Sequence, residues 1–206
     1  MDNTAGLSQK ITFLENLLFS VFRKERVYNT ALSMTAVLSI YTLLVLVLSS
    51  VESVFQLSAS ARKVVFFLYI ITLVTTITFI ILSYILSVNK SKFDSVKYSL
   101  RIGRLLPNIN DKLGNAISIC KSANSGAYTS ENLAEANLEK VYKESAAVDF
   151  NAVLDFQKLK RHTTVFFALL FTTVLLIAFV PTLSKAFNRL LNHNTEFNNS
   201  ALYNTE

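Results

Sequence analysis

Three long stretches of this 206-residue chain contain no charged side chain. They cover residues 27–51, 64–88 and 163–183 and consist mainly of aliphatic residues, Phe, Ser and Thr. A helix needs about 20 apolar residues to cross the roughly 30 Å hydrocarbon layer of a bilayer. The sequence therefore predicts an all-α membrane protein with three transmembrane helices.

The remaining residues divide the chain around these spans. We predict an amphipathic interfacial helix over 1–26, a transmembrane hairpin over 27–88, a helical insert over 89–162, the third transmembrane helix over 163–183 and a polar tail over 184–206. The tail is rich in Asn, Thr and Ser and contains too little apolar material to fold alone.

The N-terminal region places apolar residues at helical spacing, namely Leu7, Ile11, Leu14, Leu18, Val21 and Phe22. Such a helix buries its apolar face at a membrane surface or against a neighbouring subunit. A cleaved signal peptide has its basic residues before a short apolar core. Here the basic cluster follows a longer apolar run, so we expect no cleavage.

The insert is predicted to form short amphipathic helices. The first helix has an apolar face of Phe93, Val96 and Leu100 and ends before Pro107. The apolar face of the second consists of Ile109, Leu113, Ala116, Ile117 and Cys120. After a loop over 122–128, a third helix begins at Thr129 or Ser130, and its apolar face consists of Ala134, Leu138 and Val141. Phe150, Val153, Leu154 and Leu159 lead into the third span. About seventy residues of this kind make only a marginal bundle alone, so packing on a membrane or partner is expected.

Basic residues are distributed unequally between the two sides of the predicted topology. Of the twenty Lys and Arg residues, four lie before the first span and twelve lie between 90 and 161, whereas four (Arg62, Lys63, Lys185 and Arg189) lie on the other side. Cytoplasmic loops carry the excess of basic residues. The N-terminus and insert are therefore predicted to be cytoplasmic, and the C-terminus extracytoplasmic.

The spans contain no Asp, Glu, Lys, Arg or His, which proton relays and ion sites in membranes usually require. The second span does carry Thr72, Thr75, Thr76 and Thr78. Their hydroxyls can bond to the preceding turn of the same helix or to another helix. Because the spans lack these ionisable groups, a transporter acting alone is not expected.

No metal or cofactor site is predicted. His162 and His193 lie on opposite membrane faces in this topology and cannot share one site. Cys120 is the only cysteine and is expected to be a small buried side chain. The chain has four glycines and no phosphate-binding loop.

Catalysis and nucleic-acid binding are not expected either. Asp111 with Lys112, and Glu135 with Glu139, are interpreted as solvated helix charges. No serine has a His and a carboxylate in an evident nucleophile arrangement. The net charge of +6 comes from residues near the span ends, where anionic headgroups lie, and not from a basic stripe interleaved with aromatic residues.

Residues 101–116, Arg-Ile-Gly-Arg-Leu-Leu-Pro-Asn-Ile-Asn-Asp-Lys-Leu-Gly-Asn-Ala, resemble the signature "basic residue, x, Phe-Pro-x-Leu-x-Asp-Arg-Leu-x-Asn-Ala". This signature belongs to an uncharacterised family of large bacterial inner-membrane proteins, described only as a domain of unknown function. Before the third span, the resemblance includes Val148-Asp149-Phe150, Val153-Leu154-Asp155 and Leu159-Lys160-Arg161. After that span, it includes Ala186-Phe187-Asn188-Arg189-Leu190-Leu191 and Phe197. Leu106 stands where the family often has Phe, and Lys112 where it has Arg.

The resemblance implies a hairpin, a helical cytoplasmic insert and a third span in a bacterial inner membrane. Members of that family continue into a large extracytoplasmic region, whereas this sequence stops where that region would begin. The family brings no known catalytic residues.

Our leading functional hypothesis is a non-catalytic integral membrane anchor or scaffold subunit of a larger membrane-associated assembly. Its expected partners are membrane lipids and other membrane protein subunits, with no nucleic acid and no evident small-molecule substrate. Two alternatives stay open: a subunit of a multi-chain transport or envelope-export machine, and the membrane module of a longer protein whose activity lies beyond residue 206.

Overall fold

The structure, a computed structural model, describes residues 3–89, 93–106, 112–124, 139–141, 143–144 and 150–195. Regular structure in these ranges is helical, without a β-strand. The helices are α1 (Asn3–Phe55), α2 (Ala59–Ser87), α3 (Ser95–Leu105), α4 (Lys112–Asn124), α5 (Phe156–Phe179) and α6 (Pro181–Leu191), with a short 3₁₀-helix at Phe150–Val153. The predicted all-α class is confirmed.

Three of these helices, α1, α2 and α5, are long and apolar enough to cross a membrane. Their large apolar side chains are mostly exposed: Phe79 of α2 is 70% exposed and Phe171 of α5 is 65% exposed. Water is a poor solvent for so much contiguous apolar surface. The chain is therefore a multi-pass membrane protein whose spans are covered by lipid or by other helices.

Helix α1 continues without interruption through the predicted boundary between residues 26 and 27. No Gly or Pro occurs between residues 7 and 55, and the basic cluster at 23–26 consists of good helix formers. Nothing in this sequence breaks the hydrogen-bond ladder. The N-terminal amphipathic segment and the first span thus form one helix of 53 residues.

The third span ends at Phe179, earlier than the predicted residue 183. Pro181 has no backbone N–H and cannot continue the helix, but its fixed φ suits the first turn of a new one. Val180 is the N-cap residue of α6, and Pro181 begins it. Residues that the sequence analysis assigned to the end of the span therefore belong to a separate amphipathic helix.

The chain divides into two compact units. The first comprises Met1–Thr30 and Ser83–Phe156, and the second comprises Ala31–Leu82 and Gln157–Glu206. Helix α1 contributes its first half to one unit and its second half to the other.

The first unit has a hydrophobic core built from both the N-terminus and the insert. Its buried members are Ile11, Leu14, Leu18, Val21 and Phe22 of α1, Tyr98 and Ile102 of α3, Leu113, Ala116 and Ile117 of α4, and Val141 and Phe150. The apolar face of α1 is thus buried against the insert of the same chain, and not at a membrane surface or against another subunit as the sequence analysis expected. The reason is that the insert exposes matching apolar stripes that it cannot bury by itself.

Helices α3 and α4 agree with the predicted pattern to different extents. On α4, Leu113, Ala116 and Ile117 are buried as predicted, while Ile109 and the side chain of Cys120 lie outside the described part. Of the face predicted for the first insert helix, Phe93 precedes α3, and Phe93, Val96 and Leu100 are only half-buried. The buried apolar residues of α3 are Tyr98 and Ile102 instead. A Tyr is a weak apolar signal in sequence, although its ring buries well when its hydroxyl has a partner.

The ends of these two helices also bear on the predictions. Helix α3 ends at Leu105, two residues before Pro107, and α4 extends to Asn124, past the predicted start of the loop at residue 122. The predicted third insert helix from Thr129 or Ser130, with Ala134 and Leu138, lies outside the described residues. Val141, its last predicted apolar residue, is buried in the core.

Gly114 lets α3 and α4 approach each other closely. A Cβ built on it would lie 2.5 Å from Cδ2 of Leu100 and 3.2 Å from Oγ of Ser99. Any larger residue would force the Leu100 side chain to move away.

In the second unit, α1 and α2 are joined by a three-residue turn at residues 56–58, in which Gln56 has φ of 44°. A residue with a Cβ pays a steric cost in this left-handed region that Gly does not pay. We expect Gln56→Gly to raise the free energy of unfolding by up to about 1 kcal/mol, because relief of this cost exceeds the added entropy of the unfolded chain. Thermal denaturation in detergent micelles measures this, and an unchanged or lower midpoint would contradict it.

Candidate functional site

A buried pair of opposite charges lies at the hairpin turn. Glu52, at the end of α1, is 1% exposed, and Arg62, in the first turn of α2, is 4% exposed. Both side chains hold the backbone of Leu57: its N–H donates to Oε2 of Glu52 at 3.1 Å, and its carbonyl accepts from Nε of Arg62 at 3.1 Å. The distance between the two charged side chains, from Nε of Arg62 to Oε1 of Glu52, is 3.9 Å. The pair therefore fixes the turn chiefly through the intervening backbone.

Arg62 also connects the turn to the segment after the third span. Its Nη1 donates to the carbonyl oxygen of Arg189 in α6, at 3.4 Å. The ring of His193 stacks on Phe66 with centroids 4.6 Å apart. These contacts place the hairpin turn and the end of α6 together, as a three-span topology requires. In the sequence, Arg62 is recognisable only as a charge flanking a span, and this role is not predicted.

A second polar cluster lies in the first unit, where Glu25 of α1 is buried. The hydroxyl of Tyr98 donates to its carboxylate at 2.8 Å, and Arg101 donates to its other oxygen. Burial, and then the hydrogen bond to Glu25, raise the pKa of Tyr98 far above its ordinary value. The phenol consequently stays protonated and keeps donating throughout the physiological range. A second link between α1 and α3 is the 2.9 Å bond from the Ser95 hydroxyl to Glu15.

Replacing Tyr98 with Phe should lower the free energy of unfolding by about 1–3 kcal/mol, because a buried carboxylate loses one of its donors. Thermal denaturation of the two proteins in the same detergent measures the difference. Tyr84→Phe is a suitable control, since Tyr84 is a half-buried tyrosine of α2 in the same unit, and among the described residues Tyr98 is the tyrosine that donates to Glu25. Equal losses in both variants would contradict the role assigned to the Tyr98 hydroxyl.

A pocket of about 360 Å³ adjoins this cluster. Its wall includes the last turn of α2 at Leu86 and Ser87, the rings of Phe22 and Phe93, and three basic side chains, Arg26, Lys97 and Arg101. The guanidinium of Arg26 lies over the Phe22 ring, 4.9 Å from its centroid. The pocket thus combines apolar walls with positive charge at the point where a membrane-crossing helix ends.

Two of the four threonines of the second span, Thr72 and Thr76, bond to the backbone of their own helix. Thr72 donates to the carbonyl oxygens of Leu68 and Tyr69, at 2.9 and 3.0 Å, and Thr76 donates to that of Thr72 at 2.8 Å. Thr76 also lies 3.2 Å from the hydroxyl of Tyr41 on α1. Of the two roles considered for these hydroxyls, backbone bonding is seen for both residues, and Thr76 adds a contact between helices.

The charge pairs considered in the sequence analysis lie partly outside the described residues, because Asp111 and Glu135 are not among them. Lys112 forms an ion pair with Glu144 at 3.3 Å, and Glu139 pairs with Lys143 at 3.1 Å, all at least partly exposed. Exposed pairs of this kind contribute little to stability. Within the described ranges, no three His, Cys, Asp or Glu residues come close enough to hold a metal ion.

Three long apolar helices, joined to a helical insert that packs on the N-terminal half of α1, define the class: a multi-pass, all-α membrane protein. No protein-family model, curated protein or solved structure matches the chain.

Proposed function

We propose that the protein is a non-catalytic membrane anchor or scaffold subunit of a larger membrane-associated assembly. The observation that carries this proposal is the distribution of buried surface. The first unit has a well-buried core, whereas the membrane-crossing helices bury almost none of their apolar side chains within the chain. The exposed apolar faces of these helices are available to lipid and to partner helices.

The proposal includes a topology in which the N-terminus and the insert are cytoplasmic and the C-terminus is extracytoplasmic, in a bacterial inner membrane. It is supported by the packing of α1 on the insert, which keeps these segments together, and by the excess of basic residues in them. The contact of Arg62 with Arg189 likewise keeps the hairpin turn with α6.

Cysteine labelling tests this topology in a background in which Cys120 is replaced by Ser. In sealed bacterial cells, a membrane-impermeant maleimide is expected to label Ser60→Cys in the first turn of α2 and not Asn115→Cys in α4. Both positions are exposed. Permeabilised cells provide the control, since both variants should then react. Labelling of Asn115→Cys alone in sealed cells would reverse the proposed orientation.

Site-specific photocrosslinking tests the scaffold role. A benzophenone amino acid is placed at Phe79 on α2 or Phe171 on α5, both highly exposed. Irradiation in native membranes should give adducts of one discrete mass that contain the same partner protein and disappear when excess unmodified chain is co-expressed. Adducts with lipid alone, at both positions, would contradict the proposal.

The transport-machine hypothesis depended on the threonines of the second span. The bonds that Thr72 and Thr76 donate to backbone carbonyls give it no further support. The hypothesis of a longer protein with extracytoplasmic activity concerns sequence beyond residue 206 and is decided by reading the gene past that point.

A further inference from the structure

The pocket beside α3 combines features that recognise a phosphate group. Arg26 from α1 and Lys97 and Arg101 from α3 line one cavity, so that two helices distant in sequence direct positive charge towards it. Arg and Lys side chains form strong charge-assisted hydrogen bonds with phosphate oxygens.

The charges around the pocket are not all equally available. Arg101 is engaged by Glu25. Asp94, the one carboxylate among the described residues of the lining, caps α3 by accepting from the N–H groups of Val96 and Lys97 at 3.0 and 3.1 Å. This leaves Arg26 and Lys97 as cations without an ion pair to any described residue, and they are the groups to which an incoming anion would bind.

The position of the pocket indicates how the anion is presented. Leu86 and Ser87 belong to the last turn of a helix that is apolar enough to cross a membrane, and Phe22 and Phe93 supply apolar wall. Headgroup phosphates lie at this depth, directly beyond the hydrocarbon layer. We propose that the pocket binds a phosphate-bearing anion, carried either by an acidic phospholipid headgroup or by a soluble phosphate ester. The proposal does not depend on whether the chain is a scaffold.

The experiment uses the full chain and a pair of charge-matched variants. The test variant is Arg26→Gln with Lys97→Gln. The control is Arg23→Gln with Arg104→Gln, which removes the same charge from the same two helices at exposed positions outside the pocket. Circular dichroism melting establishes that both variants are folded.

Two arms distinguish the sources of phosphate. In the first, native mass spectrometry counts the phosphatidylglycerol retained by each protein after release from nanodiscs of equal phosphatidylglycerol and phosphatidylcholine. In the second, glycerol 3-phosphate is titrated calorimetrically into the proteins in phosphatidylcholine nanodiscs. Loss of the two charge-assisted contacts should weaken binding at least about tenfold in the test variant and leave the control near wild type.

Selective retention of phosphatidylglycerol in the first arm supports a lipid headgroup, and binding only in the second supports a soluble ester. Equal behaviour of the test and control variants in both arms would overturn the proposal, because binding would then reflect net charge and not this pocket. Absence of binding by the wild type in both arms would overturn it as well.

Discussion

Leu18→Ala is expected to lower the free energy of unfolding of the first unit by about 2–5 kcal/mol, the usual cost of removing a buried Leu side chain beyond Cβ. Leu18 is 0% exposed and lies in the core that α1 forms with the insert. Its removal should therefore loosen α3 and α4, although these helices lie about eighty or more residues later in the chain. Hydrogen exchange in nanodiscs measures this as faster exchange of amides in 95–105 and 112–124.

The matched control is Phe13→Ala, on the same helix. Phe13 is larger than Leu18, but its side chain is 47% exposed. If α1 packs on the insert as described, the control should change the exchange of α3 and α4 much less. If the N-terminal helix instead packed on a membrane surface or another subunit, Leu18→Ala would leave the exchange of the insert unchanged.

Arg62→Met should destabilise the second unit by about 3–5 kcal/mol, since it leaves the carboxylate of Glu52 buried without its cation. The substitution retains the apolar stem, so that the loss reports on the charge and its hydrogen bonds to Leu57 and Arg189. Thermal denaturation in detergent gives the difference. Lys63→Met is the control, because Lys63 is the exposed neighbour in sequence and should change the midpoint little.

A double variant, Arg62→Met with Glu52→Gln, separates the cost of an unpaired charge from the value of the pair. Removing the orphaned charge should recover much of the lost stability, since a buried ion pair often contributes little beyond what its neutral replacement does. Losses that simply add in the double variant would show that the two side chains act independently.

The spans could be predicted because the physical requirement is simple: a bilayer demands about 20 consecutive residues without charge. The burial of α1 against the insert could not be predicted from the sequence. An apolar stripe at helical spacing has the same pattern whichever apolar surface covers it. Leu14 and Leu18 were recognised as one face, and only the fold shows that the face meets Ile102 and Leu113.

The two polar clusters could not be predicted from the sequence for a related reason. Glu52 and Arg62 are ten residues apart and flank a turn, which in sequence is the pattern of an ordinary polar link. Glu25, Tyr98 and Arg101 come together only because α3 packs on α1. The charge of Glu25 within a basic cluster at 23–26 was the one available signal, since an acidic residue there suggests a specific partner.

The core of the first unit also imposes an order on biosynthesis. The first half of α1 leaves the ribosome roughly a hundred residues before α4, which at about 5–20 residues per second is a delay of about 5–20 s. The hairpin must enter the membrane within that interval, while Leu14 and Leu18 still lack their final neighbours. A chaperone or the bilayer surface would shelter the nascent helix until the insert is made, so a pause in translation between the two segments should make the protein prone to degradation.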